Sequence, residues 1–239
     1  MKEISYNLLK NIENAEREIF LKRGYLIINN FMPQESIEYI LKQIISFKNS
    51  NPTIKVRWKH SIFNTINGAN IDDNFHELSK IYDEYLIKEI LNLYSAKMTT
   101  LEDRSVGISV NLTDKGGKFQ PHYDRNIITA VLYLNDNYKG GEMVLYPRIR
   151  WWLGRQVSQH LRLTQIVLDR IVRSKWYLAL FTDKIKVKPK AGDLLVFEGV
   201  RTLHTVLPVK SGEVRVSVQF AYDLENASFD TSDYYGKST

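Results

Sequence analysis

The chain contains no cysteine. Disulfides are therefore excluded and no thiolate can ligate a metal, which leaves histidine and carboxylate to build any metal site. Long apolar runs are missing too. The first twenty residues, MKEISYNLLKNIENAEREIF, are charged throughout, which predicts neither a signal peptide nor a membrane span and makes a cytoplasmic protein the expectation. Disorder is excluded by what remains: 239 residues at 44% hydrophobic support a full core in one generous domain or two small ones.

Positive charge is in excess, at a formal net of +6, but it is local. Between Pro147 and Lys190 there are 11 Lys or Arg against 2 Asp or Glu, a net of +9 that leaves −3 for everything else. Within that segment WWLGRQVSQHLRLTQIVLDRIVRSKWYLALF reads as one or two helices, with Leu153, Val157, Leu161, Val167, Leu168, Ile171 and Val172 on the apolar side. A basic amphipathic helix suits a membrane surface, a nucleic acid, an anionic ligand or simply a solvated face.

Upstream, Ile4, Leu8, Ile12, Ala15, Ile19 and Phe20 recur at helical spacing over residues 4–22, GYLIINNF reads as a short strand, and PQESIEYILKQIISF as a helix with Pro33 near its start. From Asn49 to Asn74 periodicity fades and Asn, Gly and Pro gather, which predicts a long irregular loop holding Arg57, Trp58, His60, Asn64 and Asn67. A helix is expected from Phe75 to Lys97. Then SVGISVNL, FQPHYD, NIITAVLYLND and GGEMVLYP follow as short strands between glycine turns. That pattern predicts a β-sandwich or open barrel.

Chemistry concentrates in two of these segments. In an extended strand side chains two apart point the same way, so His122 and Asp124 can converge on one point. Far downstream His204 sits in a strand-like segment and Arg215 follows on the next. Two histidines and one carboxylate are the facial set that holds non-heme Fe(II) and leaves positions open. A nearby cation could hold the far carboxylate of a chelating 2-oxoacid.

In order along the chain stand His122-x-Asp124, Tyr133 in TAVLYLND, Gly140-Gly141-Glu142, KPKAGDLLVF from Lys188 to Phe197, His204 and Arg215. With these six features, residues 107–223 resemble the catalytic core of the Fe(II)/2-oxoglutarate-dependent dioxygenases, most similar to the prolyl 4-hydroxylase-like branch. The resemblance implies a mainly β fold, a double-stranded β-helix (jelly-roll) core over 107–223. Residues 1–100 would be a mostly helical support and 148–186 a helical insertion over the barrel mouth, all in a single domain, 1–239. It implies Fe(II) on His122, Asp124 and His204, 2-oxoglutarate gripped by Arg215 with help from Tyr133, and O2 as oxidant. Arg57, Trp58, Arg125, Trp152 and Arg201 are the substrate-contact candidates. Arg57 as a solvated charge and Trp58 as a packing residue are the plainer alternatives. His160, also in the insertion, is not needed as a ligand.

Particular residues narrow the function further. Asp124 stands where related halogenases have a small residue, which disfavours halogenation. The nucleic-acid dealkylases of the superfamily carry a second arginine at the place of Ala221, so nucleic acid is not the expected substrate despite the basic insertion. The tyrosine that prolyl hydroxylases carry near Asn111 and Leu112 is missing, and their basic residue is often lysine where this chain has Arg215. The expectation is an oxygenase that hydroxylates, desaturates or cyclises a small molecule such as an amino acid or natural-product intermediate. A prolyl or other residue in a protein is the runner-up. A non-catalytic metal- or ligand-binding β-barrel and a basic interaction module are the competing classes.

Overall fold

The computed structural model describes residues 9–58, 61–94, 97–153, 163–180, 182–188 and 190–225. From Leu9 to Glu13 the chain is not helical. The Lys10 N–H donates to the Phe31 carbonyl at 3.1 Å and the Ile12 N–H to the Glu89 carboxylate at 2.7 Å, so Leu9 and Ile12 are apolar because they pack on the core as an extended arm. Helix α1 (Asn14–Arg23) starts only at the capping box of Glu13 and Glu16 and ends at Gly24, whose φ of 77° is left-handed. The helical spacing over 4–22 thus overstates the helix.

Strand β1 (Tyr25–Ile28) and helix α2 (Gln34–Ser50, with Pro33 as its N-cap) match the sequence reading. The expected loop over Asn49–Asn74 does not. It is a hairpin of β2 (Ile54–Trp58) and β3 (Ser61–Asn67), followed by α3 (Gly68–Asn74). The asparagine content that suggested a loop belongs in part to a helix start, where the Asn67 side chain accepts from the Asn70 N–H. The alternation in IKVRW was the strand signal.

Helix α4 (His76–Lys80) runs through a π-helical stretch, Ile81–Leu86, into α5 (Ile87–Leu93). Then come β4 (Met98–Thr100) and the short α6 (Arg104–Gly107), which takes the start of the expected SVGISVNL strand. Strands β5 (Ile108–Thr113), β6 (Phe119–His122), β7 (Ile128–Tyr133), β8 (Tyr138–Gly140) and β9 (Met143–Tyr146) precede the insertion helices α7 (Leu163–Val172) and α8 (Lys175–Leu180). After them run β10 (Ile185–Val187), β11 (Leu194–Glu198), β12 (Leu203–Val206), β13 (Val209–Gly212) and β14 (Arg215–Leu224).

The larger sheet has the order β1-β11-β7-β14-β5-β3-β2, with β4 also on β14; the smaller is β10-β9-β12-β6. Strands β5, β7 and β11 are buried along their whole length, and period-two alternation divides their side chains between two cores. Ile108, Val110, Leu112, Ile128, Ala130, Leu132, Leu194, Val196, Val216, Val218 and Phe220 pack with residues of α2, α4 and α5. The intervening Val131, Tyr133, Leu195 and Phe197 meet Met143, Leu145, Val187 and Val206 of the smaller sheet. This is the jelly-roll the resemblance implied: two facing sheets with helices behind the larger one.

Insertion helix α7 keeps Val172 buried against Ile149 and Leu203, but Val167 and Ile171 are 60% and 43% exposed, so the apolar stripe expected there is split between two faces. Val157, His160 and Leu161 lie outside the described residues.

Behind the insertion Arg148 is clamped on the buried Glu198. Its Nε and Nη2 donate to the two carboxylate oxygens at 2.9 Å each, and Nη1 donates to the Lys22 carbonyl at 3.0 Å. One cation thus caps the end of α1 and neutralises a carboxylate that is 1% exposed. Replacing it with an uncharged chain of similar length, Arg148→Met, is expected to cost about 2 kcal/mol of stability, because the buried Glu198 loses two charge-assisted hydrogen bonds and keeps Arg201; urea unfolding monitored by circular dichroism measures it.

Candidate metal centre

Strands β6 and β12 pair antiparallel, with His204 directly opposite His122. Asp124 follows β6 by two residues, and the three side chains can each place one donor atom within 4.8 Å of the others. The His122 and His204 Nε2 atoms lie 3.6 Å and 3.4 Å from the same Asp124 Oδ1. Cis ligands about 2.1 Å from one metal would be about 3 Å apart, so a small contraction around an ion completes the set.

Tautomers are fixed by the backbone. His122 Nδ1 lies 2.6 Å from the Gln120 carbonyl and His204 Nδ1 3.0 Å from the Thr202 carbonyl. A carbonyl only accepts, so in each neutral ring Nδ1 carries the hydrogen and Nε2 is the nitrogen left to bind a metal. The other Asp124 oxygen accepts from the Thr129 hydroxyl at 2.5 Å, and Thr129 in turn accepts from the Asn126 amide at 3.0 Å.

Burial, with His204 beside it, lowers the His122 imidazole to about 4, so this ring is neutral at neutral pH. Burial also opposes the Asp124 anion, yet His204, His122 and Thr129 outweigh it and hold the carboxyl below the ordinary range. Burial is the largest single influence on His204 and pulls it down, but the Asp124 charge and hydrogen bond and the Thr202 carbonyl together raise it above its ordinary value. A fixed carboxylate faced by two lone pairs is a site for a cation.

A cavity between the sheets joins this cluster to Arg215. It is lined by His122 and His204, by Arg215, Ser217 and Gln219 of one strand, and by Asn111. Along β14 residues 215, 217 and 219 share one face, and Ser217 pairs with Asn111 on one neighbour and Tyr133 on the other. Arg215 is 2% exposed. Its Nη1 donates to the Ser217 hydroxyl at 3.0 Å, its Nε has no hydrogen-bond partner, and among the described residues it forms no ion pair. Tyr133 is fully buried, with the Arg215 guanidinium 5.3 Å from its ring centroid, and its hydroxyl donates to the Met143 sulfur at 3.4 Å. Gly141 gives Arg215 and Tyr138 room: a Cβ there would stand 3.1 Å from both, at a φ of +67°.

These cavity residues fall within 108–223, the part of the chain that matches the family model described as the 2OG-Fe(II) oxygenase superfamily. Through these residues the chain belongs to that superfamily. No curated protein matches it by sequence. Among solved structures it is similar to the non-heme alpha ketoglutarate dependent carbocyclase SnoK from nogalamycin biosynthesis, at TM-score 0.70 and 14% identity over 94% of this chain and 90% of that one. The epimerase SnoN in complex with Fe3+, alpha ketoglutarate and nogalamycin RO gives 0.67 and 15% over 92% and 86%. A prolyl 4-hydroxylase from Phytophthora capsici gives 0.63 and 16% over 98% and 73%.

The oxygenase's remaining candidates are scattered. Arg201 donates to Glu198 at 2.9 Å and is largely buried, sharing that carboxylate with Arg148. Trp152 packs between the main core and the Ile149 cluster, its indole N–H buried without an acceptor. Arg125 is half-buried beside Asp124. Arg57 and Trp58 lie on β2, opposite Ile62 and Ser61, but their side chains lie outside the described residues. Ser61 does reach the metal-bearing strand, its hydroxyl accepting from the Gln120 N–H at 2.8 Å. Sequence reading missed Asn111, Thr129, Ser217 and Gln219 as site residues. For Ser217 and Gln219 the signal was present, since each lies an even number of positions from Arg215 on one strand.

Isothermal titration of the metal-free protein with Co(II) is expected to show a single site. His122→Ala, Asp124→Ala and His204→Ala are each expected to abolish binding while leaving the far-ultraviolet circular dichroism unchanged.

Proposed function

We propose that this chain is an Fe(II)- and 2-oxoglutarate-dependent oxygenase that oxidises an unactivated C–H bond of a small molecule, with His122, Asp124 and His204 holding the iron. The observation that carries this reading is Arg215: a buried guanidinium with no carboxylate partner among the described residues, lining the same cavity as the two histidines. An unpaired buried cation is costly. A dicarboxylate with one end on the iron and the other on Arg215 removes that cost, whereas a purely structural metal site would have no use for the arginine.

The bound iron would supply the activation of dioxygen that couples 2-oxoglutarate decarboxylation to substrate oxidation. The chain's own groups do the rest. Arg215 and the Ser217 hydroxyl orient the distal carboxylate, and the Tyr133 ring and phenol line its flank. Asn111 and Gln219, whose amides lie 3.4 Å apart, line the same cavity with hydrogen bonds to offer. Phe119, Val131, Met143 and Val206 are the apolar wall that excludes water. His122, 23% exposed, is the ligand nearest solvent, so substrate would approach from its side. Arg125 and Trp152 are the substrate contacts we favour there.

A small-molecule substrate is supported by likeness to two enzymes named for nogalamycin biosynthesis. The prolyl 4-hydroxylase, similar over 98% of this chain, supports a residue in a protein as the second reading. A screen by succinate formation, with small molecules and prolyl peptides side by side, separates them.

Anaerobic Fe(II) and 2-oxoglutarate are expected to give a visible metal-to-ligand charge-transfer band with the wild type and none with Asp124→Ala. Arg215→Gln is expected to raise the 2-oxoglutarate needed for half the band about thirtyfold or more, the equivalent of a lost charged pair of about 2 kcal/mol. An unchanged requirement would place the carboxylate clamp elsewhere.

A further inference from the structure

The insertion that separates β9 from β10 touches the candidate metal centre at three places. Arg150 lies with its guanidinium carbon 3.5 Å from the ring centroid of Tyr123, the residue between His122 and Asp124. The same side chain donates from Nε to Asp169 at 2.8 Å and from Nη1 to the Val200 carbonyl at 3.2 Å, while its backbone N–H donates to the Arg201 carbonyl at 3.3 Å. Val200 and Arg201 are the turn that leads into the His204 strand. From α7, Asp169 also faces Arg173 at 3.7 Å, and Arg173 donates to the Pro121 carbonyl at 3.2 Å, just before His122.

We propose that Arg150, Asp169 and Arg173 are positioning residues for the metal: they fasten the His122–Asp124 arm, gripped at Pro121 and Tyr123, to the turn that sets His204. Asp169 is the hub, since it is buried and joins both arginines; Arg150 spans the two ligand-bearing segments. Paired histidines on neighbouring strands are kept in register by β6–β12 hydrogen bonds, but that ladder is short and shifts register between His204 and Val206. Asp124 lies beyond its end. A planar cation stacked on the ring between the two ligands, and bonded to the opposite turn, supplies the restraint that the ladder lacks. The insertion then governs how tightly the ion is held as well as covering the mouth. This inference rests on the metal-centre reading above.

The test is Co(II) affinity of the intact metal-free protein by calorimetry, with the Co(II) visible spectrum and the thermal unfolding of the apo form as companion readouts. Asp169→Asn and Tyr123→Leu are each expected to bind about tenfold to a hundredfold more weakly, the range for groups that orient metal ligands, and to change the spectrum. Tyr123→Phe, which keeps the ring under Arg150, is expected to match the wild type. If Asp169→Asn does not fold, Arg173→Gln, at a side chain that is 44% exposed, takes its place with the same expectation. Wild-type affinity and spectrum in Tyr123→Leu and in the Asp169 or Arg173 variant, with only apo stability lowered, would reduce the network to packing and overturn the inference. A wild type whose Co(II) binding survives His204→Ala would instead sink the metal centre itself.

Discussion

Alternation on strands buried from both sides is the constraint from which the site follows. In β5, β7, β11 and β14 every residue must face one of two interiors, and the even-numbered positions of β5, β7 and β14 are committed to the apolar layer against the helices. The odd-numbered ones therefore point between the sheets whatever their chemistry. Near β7 and β11 they are Val131, Leu195 and Phe197. Toward β5 and β14 they are Asn111, Arg215, Ser217 and Gln219, and there the space between the sheets remains a cavity lined by polar groups. The same rule makes β14 both a core strand and the wall of a binding site, so a one-residue slip would bury Val216 among polar groups and drive Arg215 into the helices.

How much of this was legible from the residues depends on whether the signal was local. His122 and Asp124 were readable as a pair from their spacing of two, although β6 ends at His122 and Asp124 lies just beyond it; their meeting with His204 needed the pairing of β6 with β12, which the order of motifs implied. The β2–β3 hairpin was not read because its alternation is short and its asparagines resemble loop composition. Its stability comes from pairing with β5, more than forty residues further along the chain, where Asn64 stands opposite Leu112 and Asn67 opposite Ser109. The N-terminal arm failed for the opposite reason: Ile12 keeps helical spacing, yet the Glu89 carboxylate binds its N–H and the capping box starts the helix after it.

The basic insertion shows what a charge count leaves out. Its excess of lysine and arginine left an anionic partner and a solvated face both open, yet Arg148 is bound to Glu198, Arg150 and Arg173 share Asp169, and Lys186 reaches Glu142 at 3.1 Å. Four of its cations are thus matched by carboxylates, two of which, Glu198 and Glu142, come from the rest of the chain. Its exposed residues include apolar ones, Trp151, Trp176 and Leu180 at 65%, 57% and 71% exposure, beside Arg170, Lys184, Lys188 and Lys190.

Charge balance inside the cavity argues that Asp124 and Arg215 work together. Asp124 contributes one negative charge and Arg215 one positive, and both are almost fully buried. A divalent ion alone would leave the pair of sites with two uncompensated positive charges; a dicarboxylate alone would leave two negative ones. Only together do they restore neutrality in a region of low dielectric, where each uncompensated charge is expensive. Metal and 2-oxoacid should consequently favour each other's binding, and by thermodynamic reciprocity the factor is the same in both directions. Arg215 and the His122–Asp124–His204 cluster, far apart along the chain, are in this sense one site, coupled through what they hold.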